Sequence, residues 1–310
     1  MNKEEAKEYY EMRIDGYEGH SVDHTLKTLM ADVLTHGNER DTRSGKVTSV
    51  FKRDLQFDLR NGFPVTTSKK LAWMTCVGEL LTFLSGKSCI KTLKHYTFGD
   101  ENSDKWTIWS DDLNRWNTKH GTPNDTDLGE WYATQWRAYP HKFGDVDQIT
   151  NLIHNLKENP TSRYLVVQNY NAGSIHNDST CLGACHVMFQ CYVEDGYLDL
   201  DWSQRSVDSF LGLPVNIASY ALLQHLLAAW TGLKPGYLSA SLKDVHIYEN
   251  HLEAVDTYIS NEAYPLPELI LPEKAKEGLD SLLELTALDF KDCLKGYQHA
   301  GVVKAPLSVG

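Results

Sequence analysis

Several absences narrow the reading first. The chain has no apolar run near the length of a membrane span, so no membrane association is expected. Basic residues are outnumbered, 30 Lys and Arg against 42 Asp and Glu, for a formal net charge of -12. A general grip on nucleic acid needs clustered cations, so no nucleic-acid partner is expected. A small anionic ligand held by a few local arginines remains compatible. Six cysteines in 310 residues fall short of a disulfide framework, which favours a reducing cytosol, of a cell or of a virus-infected cell. Pro/Gly/Ser linkers, repeats and low-complexity blocks are missing too, so residues 1–310 read as a single domain. The opening Met1-Asn2-Lys3-Glu4-Glu5-Ala6 has no apolar core, and no signal peptide is expected.

Hydrophobic spacing outlines the elements. Leu26, Leu29, Met30, Val33 and Leu34 fit a helix stopped at Gly37. Residues 47–51 and 55–59 read as two strands, the second cleanly alternating. Helices are predicted over 70–84, 146–156 (ended by Asn159-Pro160) and 217–230 (stopped at Gly232). Strands are predicted over 165–167, 186–193 and 197–200, the last two joined through Glu194-Asp195-Gly196 as a hairpin. Residues 94–126 are polar and weakly periodic, and read as a surface excursion beside a site. The sum is an α+β architecture, a mixed sheet with helices packed on one face. The open face needs covering, and self-association would do it.

Chemistry concentrates in the second half. Cys185 follows Leu182-Gly183-Ala184 and precedes His186. A lone cysteine in an apolar strand is usually filler, the reading given to Cys76, Cys89, Cys191 and Cys293. Cys185 differs in having His186 and an arginine-bearing segment near it in sequence, and a populated thiolate needs such neighbours. Cys181, Cys185 and Cys191 lack the paired spacing of a zinc site, so no metal is expected. His225 reads as a core histidine. Arg205 and Ser206 adjoin a strand end, Arg43 lies in the turn-like Thr42-Arg43-Ser44-Gly45-Lys46, and Arg163 follows Asn159-Pro160-Thr161-Ser162. Singly each is a solvated charge, whereas together they suggest one anion site. His246 and Tyr248 alternate along a strand and share a face, suiting either a sugar hydroxyl or a structural pair. Glu79 sits among apolar neighbours, as a solvated edge or as part of a buried proton network.

The chain also resembles the thymidylate synthases from about Thr42 to Pro306. The shared strings are Asp127-Leu128-Gly129, Tyr132, Gln135-Trp136-Arg137-Ala138, Cys185-His186, Gln204-Arg205-Ser206, Asp208, Leu211-Gly212-Leu213-Pro214, residues 216–222 and Lys304-Ala305-Pro306. The resemblance implies an α+β homodimer packed sheet to sheet. It implies that Cys185 attacks C6 of dUMP, whose activated C5 takes the one-carbon unit of the co-substrate methylenetetrahydrofolate. Arg43, Gln204, Arg205 and Ser206 would bind the nucleotide, with Arg163 reaching across from the other subunit. Asn216 would read the base edge, and His246 with Tyr248 the 3′-hydroxyl. Glu79, Tyr132 and His186 would manage protons. Lys69, Trp109, Asp112, Leu182, Asp208, Gly212 and Val215 would face the folate. An amide at Asn216 can serve both N3–H and O4 of uracil, which favours dUMP over dCMP.

Departures from the family pattern cluster near this chemistry. Asp112 stands where a second Trp is usual, Val215 in place of Phe, Thr82 in place of Trp, Ala184 in place of Pro, and Tyr164 in place of a second Arg. The Arg43 loop is one residue shorter, and the chain runs on through Leu307 to Gly310. A wider, wetter pocket would let water capture the exocyclic methylene before a hydride does. Asp112 is a candidate to orient that water. Sequence alone therefore leans to a dUMP hydroxymethylase. The alternatives are thymidylate synthase, then dCMP hydroxymethylase, then an inactive nucleotide-binding relative.

Overall fold

The Ser21 hydroxyl accepts from the His24 N–H and opens helix α1 (Val22–His36), which ends at Gly37. A computed structural model describes residues 5, 21–123 and 125–307. Within α1, buried Asp23 accepts from the backbone N–H groups of Thr67 and Ser68 and from the Tyr258 hydroxyl, which ties the helix to a distant loop.

Strands β1 (Asn38–Thr42) and β2 (Gly45–Asp58) form a hairpin with Arg43-Ser44 at its tip. The two strands predicted over 47–51 and 55–59 are thus one. Lys52, Arg53 and Asp54 break the apolar pattern, yet their backbone stays paired with Lys243, Leu242 and Ser241. Helix α2 (Trp73–Ser85) starts three residues later than predicted, and the Lys70 N–H ahead of it is bound to the Gly301 carbonyl. The predicted excursion contains most of α3 (Ile90–Phe98) and all of α4 (Ile108–His120). Their buried positions are sparse, Leu93 and Tyr96 in one and Trp109 and Leu113 in the other, which explains the weak periodicity.

Next come α5 (Tyr132–Arg137), α6 (Gln148–Glu158), β3 (Val166–Gln168) and α7 (Ala172–His176). The α6 start is set by Asp147, whose carboxylate accepts from the Thr150 N–H. The predicted hairpin is β4 (His186–Glu194) and β5 (Tyr197–Gln204), turning on Asp195 and Gly196 with φ of 50° and 79°. Two left-handed residues are what a tight two-residue hairpin requires. After β6 (Val207–Asp208), helix α8 (Gly212–Thr231) is buried along most of its length. Strand β7 (Lys234–Tyr248) and helix α9 (Leu252–Ser260) follow.

The seven-stranded sheet runs β1-β2-β7-β5-β4-β3, with β6 also paired to β7. It is mixed, β5 and β6 being parallel to β7 and the other pairings antiparallel. Alternate residues, among them Leu55, Phe57, Phe189, Leu200, Trp202, Leu238 and Ala240, enter the core with α8. Gln56, Gln190, Tyr192 and Tyr237 on the opposite face are exposed. Among the described residues no helix is long and apolar enough to cross a membrane.

Candidate active site

Strand direction gathers the site. Because β4 runs against β5 and β5 runs with β7, the start of β4 lies beside the ends of β5 and β7. The β2 register puts Val47 opposite Tyr248, so the Arg43-Ser44 tip joins the same end. Four chain segments therefore meet around a cavity of about 360 Å³. Its lining includes Arg43, Trp109, Asp112, Leu182, Cys185, Arg205, Ser206, Asp208, His246 and Tyr248, ten of the residues anticipated from sequence.

Cys185 sits immediately before β4, at the end of a tethered loop. The Cys181 N–H binds the Leu128 carbonyl, and the Glu130 N–H binds the Ser179 carbonyl. Gly129 permits this crossing, since a Cβ there would lie 2.3 Å from the Ser179 oxygen and φ is +78°. The Tyr132 hydroxyl accepts from the N–H groups of Cys185 at 2.7 Å and His186 at 3.2 Å. Arg205 holds the loop from the other side, donating to the carbonyls of Ala184 at 2.8 Å and Gly183 at 3.0 Å. Burial pushes the Cys185 thiol above its ordinary value of 9.0; Arg205 and Arg43 oppose this, and Asp112 adds to it.

The wall across from Cys185 is built on α4. Trp109 donates its indole N–H to Glu79 Oε1 at 2.7 Å, and burial raises the Glu79 carboxyl to about 7. One turn on, Asp112 is ion-paired with Arg115, which also lines the cavity. Burial raises the Asp112 carboxyl, and Arg115 counters it. Asp208 accepts from the N–H groups of Phe210 and Leu211, fixing its carboxylate at the mouth. His246 Nδ1 lies 2.8 Å from the Asp244 carbonyl, and the His246 and Tyr248 rings are 5.0 Å apart.

Other anticipated residues stand behind this lining. Asn216 Oδ1 accepts from Gln204 Nε2 at 3.2 Å, and Gln204 also donates to the Ser206 carbonyl. Buried His186 lies 3.2 Å from the Tyr220 hydroxyl, and burial lowers its imidazole to about 4. Gly212 opens α8 close to Asp208, and Val215 is half-buried with its carbonyl near Cys76.

One expectation needs correction. Lys69 offers no free charge to an acidic tail, because its buried ammonium donates to the Phe210 carbonyl and lies 3.8 Å from that ring's centre. Burial brings its pKa down to about 8. Arg163 is exposed before β3 and lies outside the cavity of its own chain, which leaves the expected role in a second subunit's site open. Sequence reasoning missed Arg115, Asp244 and Leu307 in the lining. The Asp112–Arg115 spacing of three on a helix was the available signal for the first. Asp244 gave none, since it reaches the site through a positive φ of 44° near the strand end.

Comparisons with known proteins identify the family. A model of the thymidylate synthase family matches residues 24–309. A probable thymidylate synthase of Escherichia phage T5 is 45% identical over 282 residues, covering 90% of this chain and 98% of that relative. The chain belongs to the thymidylate synthase family and is a one-carbon transferase; the family acts on dUMP.

Proposed function

We propose that the protein carries out reductive methylation of dUMP to dTMP, the reading that sequence alone had placed second. The observation that carries it is the Asp112–Arg115 ion pair within an otherwise tryptophan- and leucine-bearing wall. A free carboxylate could hold a water against the methylene, but one already engaged by a guanidinium is poorly placed to do so. The name of the phage relative points the same way.

The chemistry of the cavity lining suits a nucleotide beside a flat heteroaromatic co-substrate. Arg43, Arg205 and Ser206 form its anion-binding side, and Trp109 with Leu182 an apolar side. Methylenetetrahydrofolate would supply the one-carbon unit and then the hydride. Cys185 as thiolate adds to C6 and pushes electron density through O4 to C5, which forms the new carbon–carbon bond. Arg205 and Arg43 favour the thiolate, and the hydroxyl of Tyr132 keeps the nucleophile's turn in place. Glu79, near neutrality in its acid–base balance, is suited to exchange the O4 proton through water. Loss of the C5 proton would expel the folate nitrogen from the transferred carbon and leave an exocyclic methylene on C5; a hydride would convert it to methyl, and Cys185 departs from C6 with its electron pair, restoring the C5–C6 double bond. The folate leaves two electrons poorer, as dihydrofolate. His246 and Tyr248 would bind the 3′-hydroxyl, and Asn216 the base edge. The working unit is a cytosolic homodimer of single-domain subunits, each lending Arg163 to its neighbour's phosphate.

The test is one incubation with dUMP and methylenetetrahydrofolate, reading nucleotide mass and folate absorbance. Stoichiometric dTMP and dihydrofolate are expected. Hydroxymethyl-dUMP without dihydrofolate would overturn reductive methylation in favour of hydroxymethylation, and turnover of dCMP alone would overturn the assignment of Asn216.

A further inference from the structure

We propose that Trp131 is a positioning residue that fixes the plane of Trp109 and so keeps the folate-facing wall closed to water. This rests on reading the cavity as a folate-dependent site. Trp131 immediately precedes α5, is 1% exposed, and is not part of the lining of the active-site cavity. Its ring stands nearly perpendicular to that of Trp109, at 83° with centroids 4.7 Å apart. It meets Phe83 in the same way, at 83° and 5.2 Å.

Trp109 needs such a support. Its hydrogen bond to Glu79 fixes one point of the indole and leaves the ring free to tilt about it. The aromatic neighbour that α4 could have supplied one turn later is Asp112, whose carboxylate is turned to Arg115. Trp131 brings the missing ring from another element. Glu79 and Phe83, four residues apart on α2, thus grip the pair from behind, one holding Trp109 and the other holding Trp131. The next residue, Tyr132, stacks on Phe83 at 4.8 Å, and its hydroxyl accepts from the N–H groups of Cys185 and His186. Adjacent residues 131 and 132 therefore set the two facing walls of the cavity against one anchor.

A second observation separates shape from polarity. The Trp131 Nε1 atom is buried and has no hydrogen-bond partner among the described residues. An unsatisfied buried donor is unfavourable, so the benefit of tryptophan at this position lies in its ring. Phenylalanine should then substitute well and valine poorly.

The test compares the parent with Trp131→Phe and Trp131→Val. Measurements are KM for each substrate, tritium release from C5-labelled dUMP, and the ratio of dTMP to 5-hydroxymethyl-dUMP. In Trp131→Val the KM for methylenetetrahydrofolate should rise about tenfold, with that for dUMP changing less than about twofold. Tritium release should persist while the hydroxymethyl product grows to about a tenth or more of the total, because water now reaches the methylene. Trp131→Phe should restore the parental values. Unchanged folate KM and product ratio in Trp131→Val would overturn the proposal, as would equal losses in the two KM values. If the valine variant does not fold, Trp131→Leu is read by the same criteria. A parent that releases no tritium would sink the folate-dependent reading itself. A parent that makes only hydroxymethyl-dUMP would sink reductive methylation, leaving the positioning role to stand or fall on the folate KM.

Discussion

At Cys185 three charges compete over one thiol. Burial disfavours the thiolate, Arg205 and Arg43 favour it, and Asp112 opposes it. Replacing Asp112 by Asn removes the opposing charge and releases Arg115 from its ion pair. Iodoacetamide should then alkylate Cys185 about threefold faster at pH 7, and Arg115→Ala, which bares Asp112, should slow it by a similar factor. Equal rates in all three proteins would refute this account of the thiol. Glu79 gives a second prediction, on stability. Its carboxyl rises from 4.5 to about 7 in the folded chain, so the folded state holds the proton more tightly than the unfolded state does. Stability from this group is greatest below pH 4.5 and is lost as pH climbs through 7, an effect on the order of 3 kcal/mol. Glu79→Gln abolishes it while keeping an acceptor for Trp109. Its advantage over the parent in urea unfolding should therefore grow between pH 5 and 8, whereas a constant gap would show that Glu79 is ionised throughout. That Cys185, Arg43 and Arg205 belong to one cavity was legible because few residue types can supply a nucleophile or bind an anion. Lys69 was misjudged because a cation's sequence position does not reveal that its ammonium is spent on the Phe210 carbonyl.

Among elements, those with strong local rules could be read and those built by tertiary contact could not. The β4–β5 hairpin follows from alternation around Asp195-Gly196, a turn with φ of 50° and 79°. Gly196 has nothing within 4 Å of where a Cβ would stand, so an alanine there meets only backbone strain. Gly196→Ala should cost about 1 kcal/mol in denaturant unfolding and leave one-carbon transfer unchanged at ambient temperature. A neutral effect on stability would mean that the turn relaxes to another type. Helix α4 shows the opposite case. Its few buried side chains give little periodicity, and the Ser110 hydroxyl accepting from the Thr107 N–H marks its start more clearly than any apolar stripe does. Yet it supplies Ile108, Trp109, Asp112 and Arg115 to the cavity. A helix can thus be critical to a site and nearly silent in hydrophobic pattern, because its burial is shared with ligand space instead of with core.

On the scale of the whole molecule, strand order assembles the site and leaves one sheet face open. No sequence pattern reveals that Cys185, Arg205 and Tyr248 lie at one end of the sheet, since this follows from β4 opposing β5 and β5 paralleling β7. The open face carries Gln56, Gln190, Tyr192 and Tyr237, and Arg163 lies outside the cavity of its own chain. If two copies close their sheets on each other, Arg163 acts only across the interface. Cys185→Ser should then be inactive, and Arg163→Ala should lose about tenfold through weaker phosphate binding. Mixing the two variants under conditions of subunit exchange makes about half the dimers mixed, each with one site holding both Cys185 and a donated Arg163. Activity should recover to about a quarter of the parental value, because one site in two is whole in half of the dimers. An arginine acting within its own chain gives no such recovery, since mixing cannot place both residues in one subunit. Activity that stays at the average of the separate variants, in a protein that sediments as a dimer, would therefore confine Arg163 to its own chain.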